Sequence, residues 1–451
     1  EWEVYTGKPN DRFGCISTEE DMDLIAESFR HQVLWLRNHP SIICWYGASD
    51  MLPRPALEQR YLDILAEIDD RPYTVHAGSA KSALSGPAGM KMWGPYEWQA
   101  PYYWYSEEAK GNAVGFNTEI GIGAQIPVYE SLVKMIPEDQ LWPVRDAYDF
   151  HCTTSRDALH DLNELKTVIE KRHGGASDLE DFLRKAHFID YEGTRAMIEA
   201  HRVNVPRSTG VIQWMLNSAW PSLYWQMYDW YLVPVSSYWS VKKGCAPQQL
   251  IYNYGDKHVY AVNDEKEDMD LKAFMTVYGL DGNILSDAKC DVEMAAGSSI
   301  KVFETPELDK IGFVFLRLED AKGNVVSRNE YCLAEVMDKH NWEKYRWWRT
   351  QIESYADFTA LNDLAAAEVT AEAVKTENGL NVTLENKSSV VAFFIRMSLK
   401  DDAGNLVVPA FWSDNLVTLA PGEKLTFSCK ADGGKTVEVS GWNVAEQTLA
   451  L

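Results

Sequence analysis

Two acidic side chains stand where chemistry can be done. Asp50 closes the run Gly47-Ala48-Ser49-Asp50, and Glu119 closes Phe116-Asn117-Thr118-Glu119. Each follows a short apolar stretch that reads as a strand of a parallel sheet, and in barrels of that kind the active site is built at the C-terminal ends of the strands. Two carboxyl groups facing one substrate bond can divide the work of proton donor and of base or nucleophile. Alone, neither segment is specific, because the chain holds 67 Asp and Glu residues and a loop carboxylate is more often solvated or a helix cap.

The elements that must hold these carboxylates are legible from periodicity. Ser17 with Glu20 forms a capping-box pattern, and Leu24, Ile25, Phe29, Val33 and Leu36 follow at near-helical spacing, which predicts a helix to about Asn38. Ser41 to Tyr46 reads as a strand buried on both faces. A helix then opens at Pro55 with Leu57, Tyr61, Ile64, Leu65 and Ile68 on one stripe, and a strand is expected at Tyr73 to His76. Further strands are expected at 90–93, 113–117 and 210–216, with helical sequence between 127 and 203. Alternating strands and helices imply a parallel sheet, with five strands before about residue 243.

Beyond about 246 the pattern changes to short alternating runs such as 259–262, 273–278 and 311–318, separated by turns like Asp281-Gly282-Asn283. These predict a β-sandwich over 244–340. A Trp-rich connector at 341–366 leads to a second sandwich over 367–451.

The two carboxylate segments carry a resemblance. Arg37-Asn38-His39-Pro40-Ser41-Ile42-Ile43 followed by Gly47 to Asp50 resembles the acid/base segment of glycoside hydrolase family 2, in the clan A barrel hydrolases. Phe116 to Glu119 resembles the nucleophile segment. Gly89-Met90-Lys91-Met92-Trp93-Gly94-Pro95-Tyr96, Trp214 to Trp220 and Ser440-Gly441-Trp442-Asn443 extend the likeness along the chain, which is most similar to the exo-β-D-glucosaminidase branch. The resemblance implies Asp50 as acid/base and Glu119 as nucleophile of a retaining double displacement, which needs the two carboxyl groups about 5–5.5 Å apart. In the clan those residues follow strands four and seven. The fold it implies is therefore a partial (β/α)8 barrel, strands 4–8, over residues 1–243, followed by two immunoglobulin-like sandwiches. The first three strands and further N-terminal domains would lie upstream, and the piece by itself would be inactive.

One departure bears on substrate. Where the clan commonly has Asn-Glu, this chain has Ser49-Asp50. An amide N–H facing a 2-ammonium group would set donor against donor, whereas a serine oxygen can accept. The substrate so implied is a terminal β-linked glucosamine of chitosan-type oligosaccharides. Sugar rings pack their C–H faces on flat side chains, so Trp93, Tyr96, Trp214 and Trp220 are candidate contacts, with Asn117 and Asn217 as polar ones and Lys91 a further possibility of the same kind. A family 2 β-mannosidase or endo-β-mannosidase is the alternative enzyme, and a noncatalytic carbohydrate-binding scaffold the alternative of another class.

Composition bounds the remaining classes. A formal net charge of −24 argues against nucleic acid, whose phosphates need a basic face. No run reaches the roughly 20 apolar residues of a membrane-spanning helix. Seven cysteines fall at spacings that signal neither a disulfide scaffold nor a metal site, and no metal or organic cofactor is expected. His39, His76, His151 and His187 belong to no nucleophile constellation, and Gly121-Ile122-Gly123 is too short for a phosphate loop. A polymeric substrate points to a periplasmic or secreted protein.

Overall fold

A computed structural model describes residues 16, 18–152, 159–346 and 348–451. The chain divides into two compact units. The first is the described part of Glu1–Gly94 with Val114–Ile120 and Ser208–Gln213, and the second is Pro95–Ala113, Gly121–Arg207 and Trp214–Leu451.

The first unit starts with α1 (Glu19–Leu36), capped by Thr18, whose Oγ1 accepts from the Asp21 amide at 3.1 Å. Ser17 of the expected capping box lies outside the described residues. Met22, Ala26, Phe29 and Val33 form the buried stripe of α1. It faces α2 (Pro55–Ile68), where Tyr61 meets Phe29 with ring centroids 4.6 Å apart. Pro55 opens α2 because a first-turn residue needs no N–H partner.

Four strands belong to this unit: β1 (Trp45–Tyr46), β2 (Tyr73–Thr74), β3 (Gly115–Ile120) and β4 (Ser208–Gln213). β1 pairs with β2 and β3 with β4, both in parallel. The expected strand at 41–46 is thus reduced to two residues, and Ile43 is 74% exposed rather than buried. The Ile42 carbonyl accepts from Arg71 Nε at 2.7 Å, so a side chain takes a bond that a neighbouring strand would supply. The strands expected at 73–76 and 210–216 are also shorter or shifted. The strand expected at 90–93 survives as a single parallel bridge between Lys91 and Asn117.

The second unit is organised around α6 (Leu179–Val203), which follows three shorter helices, α3 (Tyr129–Leu132), α4 (Asp146–Asp149) and α5 (Asn163–His173). Nearly all of α6 is buried, charged residues included, so these need partners to offset desolvation. Glu192 pairs with Arg172. Glu199 accepts from Asn329 Nδ2 and Tyr331 OH, each at 2.8 Å. Then α7 (Ser236–Gly244) leads into β structure.

Seven strands form the first sandwich: β5 (Gln248–Asn253), β6 (His258–Asn263), β7 (Met269–Gly279), β8 (Ile284–Met294), β9 (Ser298–Glu304), β10 (Ile311–Glu319) and β11 (Val325–Ala334). A three-stranded sheet, β5-β6-β9, is joined with a four-stranded one, β11-β10-β7-β8. Leu271, Ala273, Met275 and Val277 of β7 are all buried, the period-two pattern of a strand with one face inward.

The stretch expected as a connector is partly a hairpin, β12 (Lys339–Tyr345) paired with β13 (Thr350–Ser354). The second sandwich follows with β14 (Val369–Thr376), β15 (Gly379–Asn386), β16 (Ala392–Lys400), β17 (Ala410–Trp412), β18 (Val417–Leu419), β19 (Lys424–Ala431), β20 (Thr436–Ser440) and β21 (Gln447–Ala450). Its sheets run β14-β15-β19-β17 and β18-β16-β20-β21. Phe188 of α6 packs edge-to-face on Phe393 and Phe394 of this sandwich, at 5.3 and 5.7 Å.

Candidate active site

Asp50 lies four residues beyond β1, at the C-terminal end of the β1–β2 pair. Hydrogen bonding between the two chains continues past the strands, from Gly47 N to Thr74 O and from Ala77 N to Ala48 O, both at 2.9 Å. Gly47 is closely approached by Tyr73, since a Cβ there would stand 2.2 Å from the Tyr73 hydroxyl oxygen and the ring would have to shift. Ala48 and Ser49 are buried, and Asp50 emerges into solvent.

Glu119 differs from expectation. It lies within β3, not past it, because the β3–β4 ladder runs on to the pair Ile120↔Gln213. The register shifts between Asn117 and Ile120, so Glu119 sits in an irregular stretch, a device that commonly re-aims side chains near active sites. Glu119 is half-buried, and Asn117 is fully buried.

Lys91 locks this region from the other edge. Its N–H donates to Phe116 O at 2.9 Å and its carbonyl accepts from Thr118 N at 3.0 Å, which places it opposite Asn117. Trp93, two residues further on, is 44% exposed. Burial pushes the Lys91 ammonium down to about 8, and Nζ donates to Val114 O at 3.3 Å. Thr118 Oγ1 donates to Ala77 O at 2.7 Å and so ties β3 to the segment that follows β2. The first unit thus carries Ser49 and Asp50 just past the parallel pair β1–β2, and Lys91, Asn117 and Glu119 on or beside the parallel pair β3–β4. Thr118 and Gly47 had no assigned task from sequence, though both lie inside the quoted motifs.

The remaining candidates lie in the second unit. Tyr96 is buried at 9% exposure and meets Trp225 edge-on at 5.7 Å, while Trp225 Nε1 donates to Tyr96 O at 2.9 Å. Trp214 is half-buried and follows β4 instead of lying on it. Asn217 is exposed. One face of Trp220 is already covered by His151, stacked at 5.5 Å. Of the aromatic run 93–105, Trp98, Tyr103 and Trp104 are core residues. Gly121 is a close approach: a Cβ there would be 2.1 Å from the Trp214 carbonyl oxygen. Gly123 takes φ +72°, and a Cβ there would stand 2.7 Å from the Trp98 backbone nitrogen.

Two family models match the β domains. Residues 255–336 match the mannosidase Ig/CBM-like domain and residues 347–444 the exo-β-D-glucosaminidase Ig-fold domain. Both sandwiches are thus immunoglobulin-like, and the second match takes in much of the stretch expected as a connector. An exo-β-D-glucosaminidase of Hypocrea jecorina is 35% identical over 96% of this chain and 51% of its own length. One from Amycolatopsis orientalis is 35% identical over 96% of this chain and 44% of its own. The solved exo-chitosanase of A. orientalis in complex with PNP-β-D-glucosamine superposes with a TM-score of 0.90 at 32% identity, covering 96% of this chain and 54% of that one. The chain spans about half the length of the curated relatives it matches. Across the portion of those proteins that it spans, the chain is similar to exo-β-D-glucosaminidases.

Proposed function

We propose that the protein of which this chain is part is a retaining exo-β-D-glucosaminidase, releasing terminal β-linked glucosamine from chitosan oligosaccharides. The observation that carries this is the likeness over 96% of the chain to relatives of that name, with Ser49-Asp50 just beyond the parallel strand β1 and Glu119 within the parallel strand β3. β1 to β4, together with the bridged segment at Lys91, are read as strands four to eight of a (β/α)8 barrel. The retained order of parallel pairs supports that reading.

In this mechanism Glu119 attacks the anomeric carbon as Asp50 protonates the departing oxygen. Asp50 then takes a proton from the water that opens the glycosyl-enzyme. Ser49 accepts from the substrate ammonium. Trp93 is assigned to the sugar from the first unit, whereas Asn117, with no exposed surface, is not among its direct contacts. Tyr96, Trp214, Asn217 and Trp220 are assigned to substrate on the strength of their motifs. The protein is proposed to act in the periplasm or outside the cell, where such polymers are found.

The test uses the full-length protein and a panel of β-glucosaminide, mannoside and galactoside with a common leaving group. Glucosaminide should turn over fastest, Asp50→Ala and Glu119→Gln should each lower kcat about 10²–10⁴-fold, and a fluorinated sugar should label Glu119. Fastest turnover of mannoside, or a label on another residue, overturns the assignment.

A further inference from the structure

Beneath the segment that carries Trp214 and Asn217 lies a buried polar chain with no part in the mechanism above. Asp190 of α6 is 3% exposed, and Gln125 and Gln226 are fully buried. Asp190 Oδ2 accepts from Ser236 Oγ at 2.6 Å, and its Oδ1 accepts from Thr194 Oγ1 at 3.2 Å and Gln125 Nε2 at 3.3 Å. Gln125 Nε2 also donates to Ile122 O. With both amide hydrogens directed at acceptors, the carboxamide oxygen must face the other way, where it accepts from Trp225 N at 2.6 Å and Gln226 N at 3.3 Å. Gln226 Nε2 returns to Gln125 O at 3.0 Å, and Trp225 O accepts from Met215 N at 3.3 Å, one residue past Trp214.

The orientation of Gln125 decides the outcome. Flipped, its NH₂ would face two backbone N–H groups, and those amides would be buried without acceptors, at about 1–3 kcal/mol each. The Ile122 carbonyl is an acceptor only, and so is Asp190 when ionised, so together they forbid the flip. Burial outweighs the hydrogen bonds from Ser236, Thr194 and Gln125 and leaves the Asp190 carboxyl raised to about 7. Trp225 needs such a clamp, because it holds φ +54°, a left-handed conformation that bulky side chains disfavour.

We infer that Asp190 is a positioning residue for substrate binding: through Gln125 it fixes the backbone of Trp225 and Gln226, and through them the turn that presents Trp214 and Asn217. This rests on the reading that the 214–220 segment meets the sugar. In the full-length protein, Asp190→Ala and Gln125→Leu should raise KM for a chromogenic β-glucosaminide about tenfold, with kcat changed less than about threefold. Asp190→Asn, whose amide oxygen still accepts from Gln125, should restore KM to within about twofold of the parent. Amide exchange at Trp225 and Gln226 should accelerate in Asp190→Ala and stay slow in Asp190→Asn. Should Asp190→Ala fail to fold, Gln125→Leu carries the same expectation. Unchanged KM in a folded Asp190→Ala or Gln125→Leu protein, or Asp190→Asn as impaired as alanine, overturns the positioning role. Accelerated exchange in Asp190→Ala combined with a KM indifferent to Trp214→Ala leaves the relay standing and refutes the substrate reading instead.

Discussion

His340 offers a sharp test of how this fold pays for buried polar groups. Its imidazole is 3% exposed, stacked on Trp342 at 4.9 Å and edge-on to Tyr103 at 5.5 Å, with no hydrogen-bond partner on either ring nitrogen among the described residues. Burial pushes its pKa down to about 4. The unfolded chain holds such a ring near its ordinary value of about 6.5, so below that pH the unfolded state binds a proton that the folded state refuses. The stability contributed by the neutral ring is therefore complete above about pH 6.5 and is lost as pH falls from there toward 4, at about 1.4 kcal/mol per pH unit. Between pH 8 and pH 5 the loss sums to about 2 kcal/mol. His340→Phe keeps a flat ring against Trp342 and Tyr103 and removes the titration. Urea unfolding of parent and variant at pH 8 and pH 5 should show the parent losing about 2 kcal/mol more than the variant over that interval. Equal losses in the two proteins would refute the reasoning. His173, with no exposed surface and ringed by Phe188, Phe358 and Trp442, is pushed well below its usual value by burial and should show the same sign.

Three further outcomes follow from packing. Phe188→Ala removes the ring that joins α6 to the second sandwich and should lower stability by about 3–5 kcal/mol in chemical denaturation. Arg195→Met strips Glu199 of its buried cationic neighbour at 3.9 Å and should cost about 3–5 kcal/mol, read as a lowered urea midpoint. Gly379→Ala should part the start of β15 from β19, because φ is +146° and an added Cβ would lie 1.9 Å from the Cys429 carbonyl oxygen; a thermal midpoint unchanged from the parent would contradict it.

Much of this protein was legible in its sequence. The helices at 19–36 and 55–68 follow from apolar residues three and four apart, a local property that survives without neighbours. The two sandwiches follow from period-two alternation, as in β7, and the motifs at 47–50 and 116–119 carry the family likeness. Strand lengths were decided elsewhere. Ser41 to Cys44 has strand composition, yet a strand exists only where another chain segment accepts its hydrogen bonds, and here Arg71 takes the Ile42 carbonyl. Glu119 fell inside β3 because β4, roughly ninety residues later in the chain, extends the ladder as far as Ile120. Composition likewise could not say which of the aromatics between 93 and 105 face solvent, since Trp93 and Trp104 differ only in what surrounds them. The relay from Asp190 through Gln125 to Trp225 joins residues 65 and 100 positions apart. No local pattern encodes such a contact, because a hydrogen bond depends on a few tenths of an ångström that only the assembled fold supplies.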